Sequence, residues 1–219
     1  MNDIAERLRI ASPVPRPQSL CFDGPRTWLT SIETRRLYEL DAATWAIRRH
    51  WEAPGTPWGM TSIGGELRLV CGEGEDENRT LRRFVPARGF DPAFAVLCPE
   101  CEGSQLGWDG THLHLNQWYR KRVLALDPDG SIVREYPVPH QICGQAIVDG
   151  AIDLVSTDDE TTQDYRLTRL DRASGTATDL ARIPFQARGL AFDGRQLWTC
   201  HREQHQLVAF ERPSSVAPR

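Results

Sequence analysis

The chain has 219 residues, of which 40% are hydrophobic and 26% charged, with a formal net charge of -4. That length suits one domain, spanning residues 1–219, with a sizeable core, and the acidic balance gives no electrostatic pull toward nucleic acid or an anionic membrane. No apolar run approaches the roughly 18 residues of a membrane helix.

The charged start, Met1-Asn-Asp-Ile-Ala-Glu-Arg-Leu-Arg-Ile10, lacks the apolar centre of a secretion signal. A cytoplasmic protein is therefore expected, with its six cysteines as thiols or metal ligands. A strand is predicted over residues 6–13. A first group of strands follows at Ser19–Phe22, Trp28–Ser31, Arg36–Leu40 and from Trp45 to Pro54. A second lies at Gly59–Ser62, Leu67–Cys71, Thr80–Phe84 and from Phe94 to Pro99. A third lies at Gln105–Trp108, Leu113–Asn116, Val123–Leu126 and Ile132–Pro137. The fourth comprises Gln145–Val148, Ile152–Ser156, Tyr165–Leu170 and Ala177–Pro184, and the fifth Gly189–Phe192, Leu197–Cys200 and Gln206–Phe210.

Between the first and second strand of each group stands a turn glycine: Gly24, Gly64, Gly110, Gly150 and Gly194, at intervals of 40, 46, 40 and 44 residues. Four short strands per period of that length describe a propeller blade. Helical solenoids share the period, but Asp-Gly turns and β-branched alternation do not suit helices. The fifth group lacks a fourth strand. Glu6–Pro13 resembles Asp179–Pro184, so the N-terminal strand is expected to complete the last blade and leave no open edge. The fold class is all-β, a five-bladed β-propeller.

The stretch Gly189-Leu-Ala-Phe-Asp-Gly194 running on to Leu197-Trp-Thr199 resembles the repeat of the NHL, streptogramin-lyase and gluconolactonase-type propellers. The likeness covers nearly the whole chain, and it implies the blade. Gluconolactonase-type enzymes open a blade with a Glu-Gly-Pro metal-ligand motif, where this chain has Gln18-Ser19 or Trp58-Gly59. The resemblance therefore carries over no catalytic residue. Plant-type glutaminyl cyclotransferases, also five-bladed, stand as an analogy of fold.

In a propeller, the loops leading into the first strands and leaving the second strands open on one face. Six and five residues before the turn glycines stand Gln18, Trp58, Gln105, Gln145 and Arg188, among others; seven after stand Ser31, Cys71, Gln117, Thr157 and His201. Gln18, Trp58, Gln105, Gln117, Gln145 and Arg188 are expected to bind a small polar or anionic molecule. His201 is the candidate acid–base residue, with Glu73 or Asp158 as its carboxylate partner. The reaction class this suggests is hydrolase, lyase or cyclotransferase. The alternative is a non-catalytic scaffold for a ligand or protein partner, with Trp118 and Tyr119 supplying an apolar patch.

Cys98-Pro-Glu-Cys101 and His140-Gln-Ile-Cys143 lie in equivalent loops of neighbouring blades. Three thiolates and an imidazole make a common zinc set, so one zinc on Cys98, Cys101, His140 and Cys143 is a candidate cofactor. His112 and His114 share one strand face and are expected to be buried between blades. The acidic loops Glu73–Glu77 and Asp158–Glu160 follow no EF-hand pattern and read as solvated turns.

Overall fold

The computed structural model describes residues 1–128 and 130–213, which form five four-stranded antiparallel sheets. Blade 1 comprises β2 (Pro17–Asp23), β3 (Arg26–Ser31), β4 (Arg36–Leu40) and β5 (Ile47–Glu52); blade 2 comprises β6 (Thr56–Ile63), β7 (Glu66–Glu73), β8 (Asn78–Val85) and β9 (Gly89–Leu97). Blade 3 holds β10 (Gln105–Trp108), β11 (Leu113–Gln117), β12 (Arg122–Leu126) and β13 (Ile132–Pro137). Blade 4 holds β14 (Gln141–Val148), β15 (Ala151–Thr157), β16 (Tyr165–Leu170) and β17 (Ala177–Ile183). Blade 5 holds β18 (Ala187–Phe192), β19 (Leu197–His201) and β20 (Gln206–Phe210), with β1 (Glu6–Ala11) as its outermost strand. The innermost strands β2, β6, β10, β14 and β18 pack side by side and close a ring.

The closure expected from the N-terminal sequence is the one observed. Leu8 pairs with Ala209, Arg9 with Val208 and Ile10 with Leu207. The chain before β1 also reaches blade 4, where Ile4 donates its backbone N–H to the Arg182 carbonyl at 2.8 Å and Asp3 pairs with the Arg182 guanidinium.

Strand periodicity builds the core. Successive side chains point to opposite faces of a sheet, and both faces of each blade abut a neighbour. Leu69 therefore enters the cluster between blades 1 and 2, with Trp28 and Phe84, while the adjacent Val70 enters the cluster between blades 2 and 3, with Leu115. Leu154 and Val155 divide in the same way between the clusters on either side of blade 4. Each of the five blade interfaces holds one such cluster.

All five turn glycines have positive φ, from 58° at Gly24 to 97° at Gly110, a region that residues with a Cβ reach only at a cost. Aspartates reinforce several turns. Asp193 Oδ1 accepts the backbone N–H groups of Arg195 and Gln196, both at 2.8 Å. Among the described residues no helix is long and apolar enough to cross a membrane.

Candidate ligand-binding funnel

The register of the inner strands decides which side chains reach the channel mouth. β2 is bulged between Pro17 and Ser19, β6 between Pro57 and Gly59, and β14 between Ile142 and Gly144. A bulge leaves one residue out of the ladder and re-aims its side chain. The extra residues are Gln18, Trp58 and Cys143, and all three line a cavity of about 330 Å3 on one face of the ring. β18 shifts register between Arg188 and Ala191, and Arg188 lines the same cavity.

Three guanidinium groups gather on one wall. Arg16 precedes β2, Arg188 lies in β18 and Arg202 follows β19, and all border the cavity. Arg202 donates to Glu203 at 2.8 Å and to Gln18 Oε1 at 3.2 Å. Arg16 shares Glu203 at 3.0 Å, while its buried Nε has no hydrogen-bond partner. Arg188 donates to the Tyr165 hydroxyl, and to Glu160 at 3.2 Å.

The electrostatics follow from this crowding. Burial, and next to it the Arg188 charge, pushes the Arg202 guanidinium below its ordinary range. Burial opposes the charge on Glu203, but hydrogen bonds from Arg202 and Arg16 hold its carboxyl below the usual value. Burial raises the Tyr165 phenol to about 12, so it is a neutral donor or acceptor beside Arg188.

Next to Ser104, which borders the funnel, the Gln105 side chain is buried at the centre of the ring. Its Oε1 accepts the backbone N–H of Met60 at 2.8 Å and its Nε2 donates to Ser19 Oγ at 3.0 Å. Gln145 Nε2 donates to the Gln105 carbonyl at 3.3 Å and to the His114 carbonyl at 2.6 Å. On the far side lies a second cavity of about 170 Å3, bordered by Met60, Gly107 and Ala191.

The binding residues expected from sequence therefore divide. Gln18, Trp58 and Arg188 border the funnel, and Gln105 and Gln145 lie in the channel below it. Gln117 does not line it: its Nε2 donates to the carbonyls of Pro99, at 2.8 Å, and Glu102, at 3.3 Å, and so clamps the loop before β10. Two more residues of that column, Ser31 and Thr157, behave alike. Ser31 Oγ donates to the Pro15 carbonyl and Thr157 Oγ1 to the Asp159 and Asp164 carbonyls. Polar residues at the ends of the second strands satisfy loop backbone.

The acid–base candidates stand apart from one another. His201 stacks on Phe185, with ring centroids 4.8 Å apart, and its Nδ1 lies 3.3 Å from Arg9. Burial first, then Arg9, lowers the pKa of that imidazole. Glu73 is engaged by Arg82 at 2.7 and 2.5 Å. Asp158 binds His140 Nδ1 at 2.7 Å and Arg166 at 2.8 Å. None of the three borders the funnel.

The zinc set does not assemble beyond the Cys98–Cys101 turn, where the Cys101 N–H donates to the Cys98 carbonyl at 3.0 Å, which corrects the expectation drawn from its spacing. Cys98 is buried between blades 2 and 3, Cys101 is exposed, and Cys143 is buried with its Sγ 3.3 Å from the Ala187 carbonyl. His140 binds Asp158 and Asp179 at the outer side of blade 4. Among the described residues no three His, Cys, Asp or Glu side chains group as a metal site. His112 is partly exposed, whereas His114 is buried on Asp109 at 3.0 Å.

Sequence reasoning missed Arg16, Arg79, Glu102 and Glu160 as funnel residues; Trp118 and Tyr119, expected only as the apolar patch of a scaffold, also border the cavity. A signal was present for Arg16, which stands two residues before Gln18. For the others the loop conformation decides.

No protein-family model matches the sequence, and no curated protein matches it. The fold is similar to solved structures. The PQQ-bound form of aldose sugar dehydrogenase from Streptomyces coelicolor aligns over 98% of this chain and 83% of its own, at 12% identity and a TM-score of 0.66. Hydrazine synthase of Kuenenia stuttgartiensis aligns over 87% of this chain and 56% of its own, at 12% identity and a TM-score of 0.52. At such identity the likeness is one of fold, and the propeller implied by the repeat resemblance is the fold of this chain.

Proposed function

We propose that the funnel binds a small organic anion through Arg16, Arg188 and Arg202. The observation that carries this reading is the convergence of three guanidinium groups on one cavity wall, two of them with side chains only 6% and 13% exposed. Glu160 and Glu203 are their carboxylate partners. Like charges so arranged repel one another in a low-dielectric site, and the Arg188 charge adds to burial in pushing the Arg202 guanidinium below its ordinary range. A carboxylate or phosphate relieves it and matches the guanidinium fork.

Binding without turnover is favoured by the separation of His201, Glu73 and Asp158, each engaged with its own partner. Chemistry of the hydrolase, lyase or cyclotransferase kind would fall instead to Glu102 and Glu160, the carboxyl groups on the cavity wall. Both structural neighbours carry the names of enzymes, which keeps that reading in view.

The test is calorimetric titration with small carboxylates, inorganic phosphate and sulfate, on wild type and Arg202→Gln. Saturable binding that Arg202→Gln weakens tenfold or more, with the fold retained, supports the reading. Absence of binding to every anion sinks it.

A further inference from the structure

Three rings border the same cavity, and one of them, Trp118, lies against the guanidinium wall. Trp58 comes from blade 2, and Trp118 and Tyr119 from the loop between β11 and β12 of blade 3. Arg16, Arg188 and Arg202 come from blade 5 and its junction with blade 1, and in a ring of five that junction faces blade 3.

The surroundings of each ring restrict it. Trp58 Nε1 donates to Glu77 Oε2 at 3.2 Å, and the Arg79 guanidinium lies 4.5 Å from the Trp58 ring centroid. Trp118 packs against the cluster between blades 4 and 5. Tyr119 is anchored through its backbone N–H, which donates to the Glu102 carboxylate at 2.5 Å. Its side chain stays out in solvent, the residue being 81% exposed. A large ring held at a cavity mouth offers apolar area that a ligand can cover.

The distance between charge and ring is short. The Arg188 guanidinium carbon lies 5.8 Å from the Trp118 ring centroid. An acid group seated on Arg188 therefore places its next few atoms over or beside Trp118. A flat body attached directly to the acid uses both surfaces, whereas a long flexible chain uses only the first.

We propose that the ligand of this funnel is a planar aromatic carboxylic acid, its carboxylate on the Arg16, Arg188 and Arg202 wall and its ring against Trp118 and Tyr119. The inference rests on the anion reading of the same funnel and adds the chemical class of the body that the anion carries. Trp58, stacked on Arg79, closes the blade 2 side of the slot.

Benzoate and cyclohexanecarboxylate test it, since they share charge and approximate size and differ in planarity and π-character. Calorimetry and tryptophan fluorescence are read on wild type, Trp118→Leu, Tyr119→Leu and Arg202→Gln. The wild type is expected to bind benzoate roughly fivefold or more tightly than its saturated analogue, with quenching of tryptophan emission. Trp118→Leu and Tyr119→Leu should erase the preference and leave the cyclohexanecarboxylate affinity within about twofold. Arg202→Gln should weaken both acids alike. Equal affinities that neither ring variant alters overturn the aromatic inference and leave the anion reading standing. Failure of both acids to bind removes the anion reading, and this inference with it. Should Trp118→Leu not fold, the exposed Tyr119 position decides alone.

Discussion

Gln105 Oε1 lies 2.8 Å from the backbone nitrogen of Met60, so a blade 3 side chain completes the backbone hydrogen bonding of blade 2 at the centre of the ring. The same amide reaches Ser19 of blade 1 and passes close to Gly189 of blade 5, while the Gln105 backbone carbonyl accepts Gln145 of blade 4. One buried residue thus borders all five blades.

Gln105→Leu is expected to destabilise the fold by about 1–3 kcal/mol, because the buried Met60 N–H and Ser19 hydroxyl lose a partner that water cannot easily replace. Gly59→Ala should act in the same direction, since its Cβ would fall 2.4 Å from Gln105 Oε1 and 2.5 Å from the Gln105 Cα. Urea unfolding checks both variants. A loss below about 0.5 kcal/mol in each would show that Gln105 is not a structural tie.

Thiol reactivity provides a second check. Cys21, Cys71, Cys98, Cys143 and Cys200 are buried and Cys101 is exposed. Burial pushes the thiols of Cys21, Cys71, Cys98 and Cys200 up to about 12, which suppresses the reactive thiolate. A native titration with a thiol reagent should therefore show one fast group, and unfolding should release the rest of the six. Cys101→Ser should abolish the fast phase; several fast thiols in the native protein would contradict the burial.

The fold was legible because it is written five times. Period-2 alternation and a turn glycine recur in each blade, and local signals of that kind survive in sequence. The funnel was only half legible, for a physical reason. Gln18, Trp58 and Arg188 lie on inner strands, where repeat register gives position. Arg79 and Glu160 reach the cavity through strand ends and loops whose paths the register does not determine. The Cys and His spacing misled because Cys98, which shares a turn with Cys101, and Cys143 are buried in different interblade clusters, while Asp158 and Asp179 hold His140 at the outer side of blade 4.

The N-terminal strand supports the closure of the ring. Removing residues 1–11 would strip β1 from β20 and delete the Ile4 contact with the cluster between blades 4 and 5. An exposed β20 edge is also a template for association. The truncated chain should lose several kcal/mol, on the order of two buried aliphatic side chains plus the strand ladder, and should self-associate. Unfolding curves and size-exclusion profiles that match the full chain would show that β1 is dispensable.

Acid stability follows from His114 and its partner. Burial, reinforced by the Arg172 and His112 charges, lowers the His114 pKa below 6.5, and the hydrogen bond to Asp109 offsets this only in part. Asp109 resists burial of its charge because the backbone N–H of His112, the His114 ring and the Thr111 N–H hold its carboxyl far below 3.8. Between the folded and unfolded pKa values of His114 the unfolded chain binds more protons, so stability rises with pH in that window. The His114 contribution is complete above about 6.5 and is lost on acidification below it. Asp109 adds a second loss below its unfolded value of 3.8. His201, lowered by burial and by Arg9, contributes in the same direction as His114. The melting temperature of the wild type should therefore fall steadily from pH 6.5 to 4.5. His114→Gln, which keeps an N–H donor for Asp109, should flatten that slope without removing the later loss below pH 4. Parallel curves for the two proteins would show that His114 is not the buried neutral base that the geometry describes.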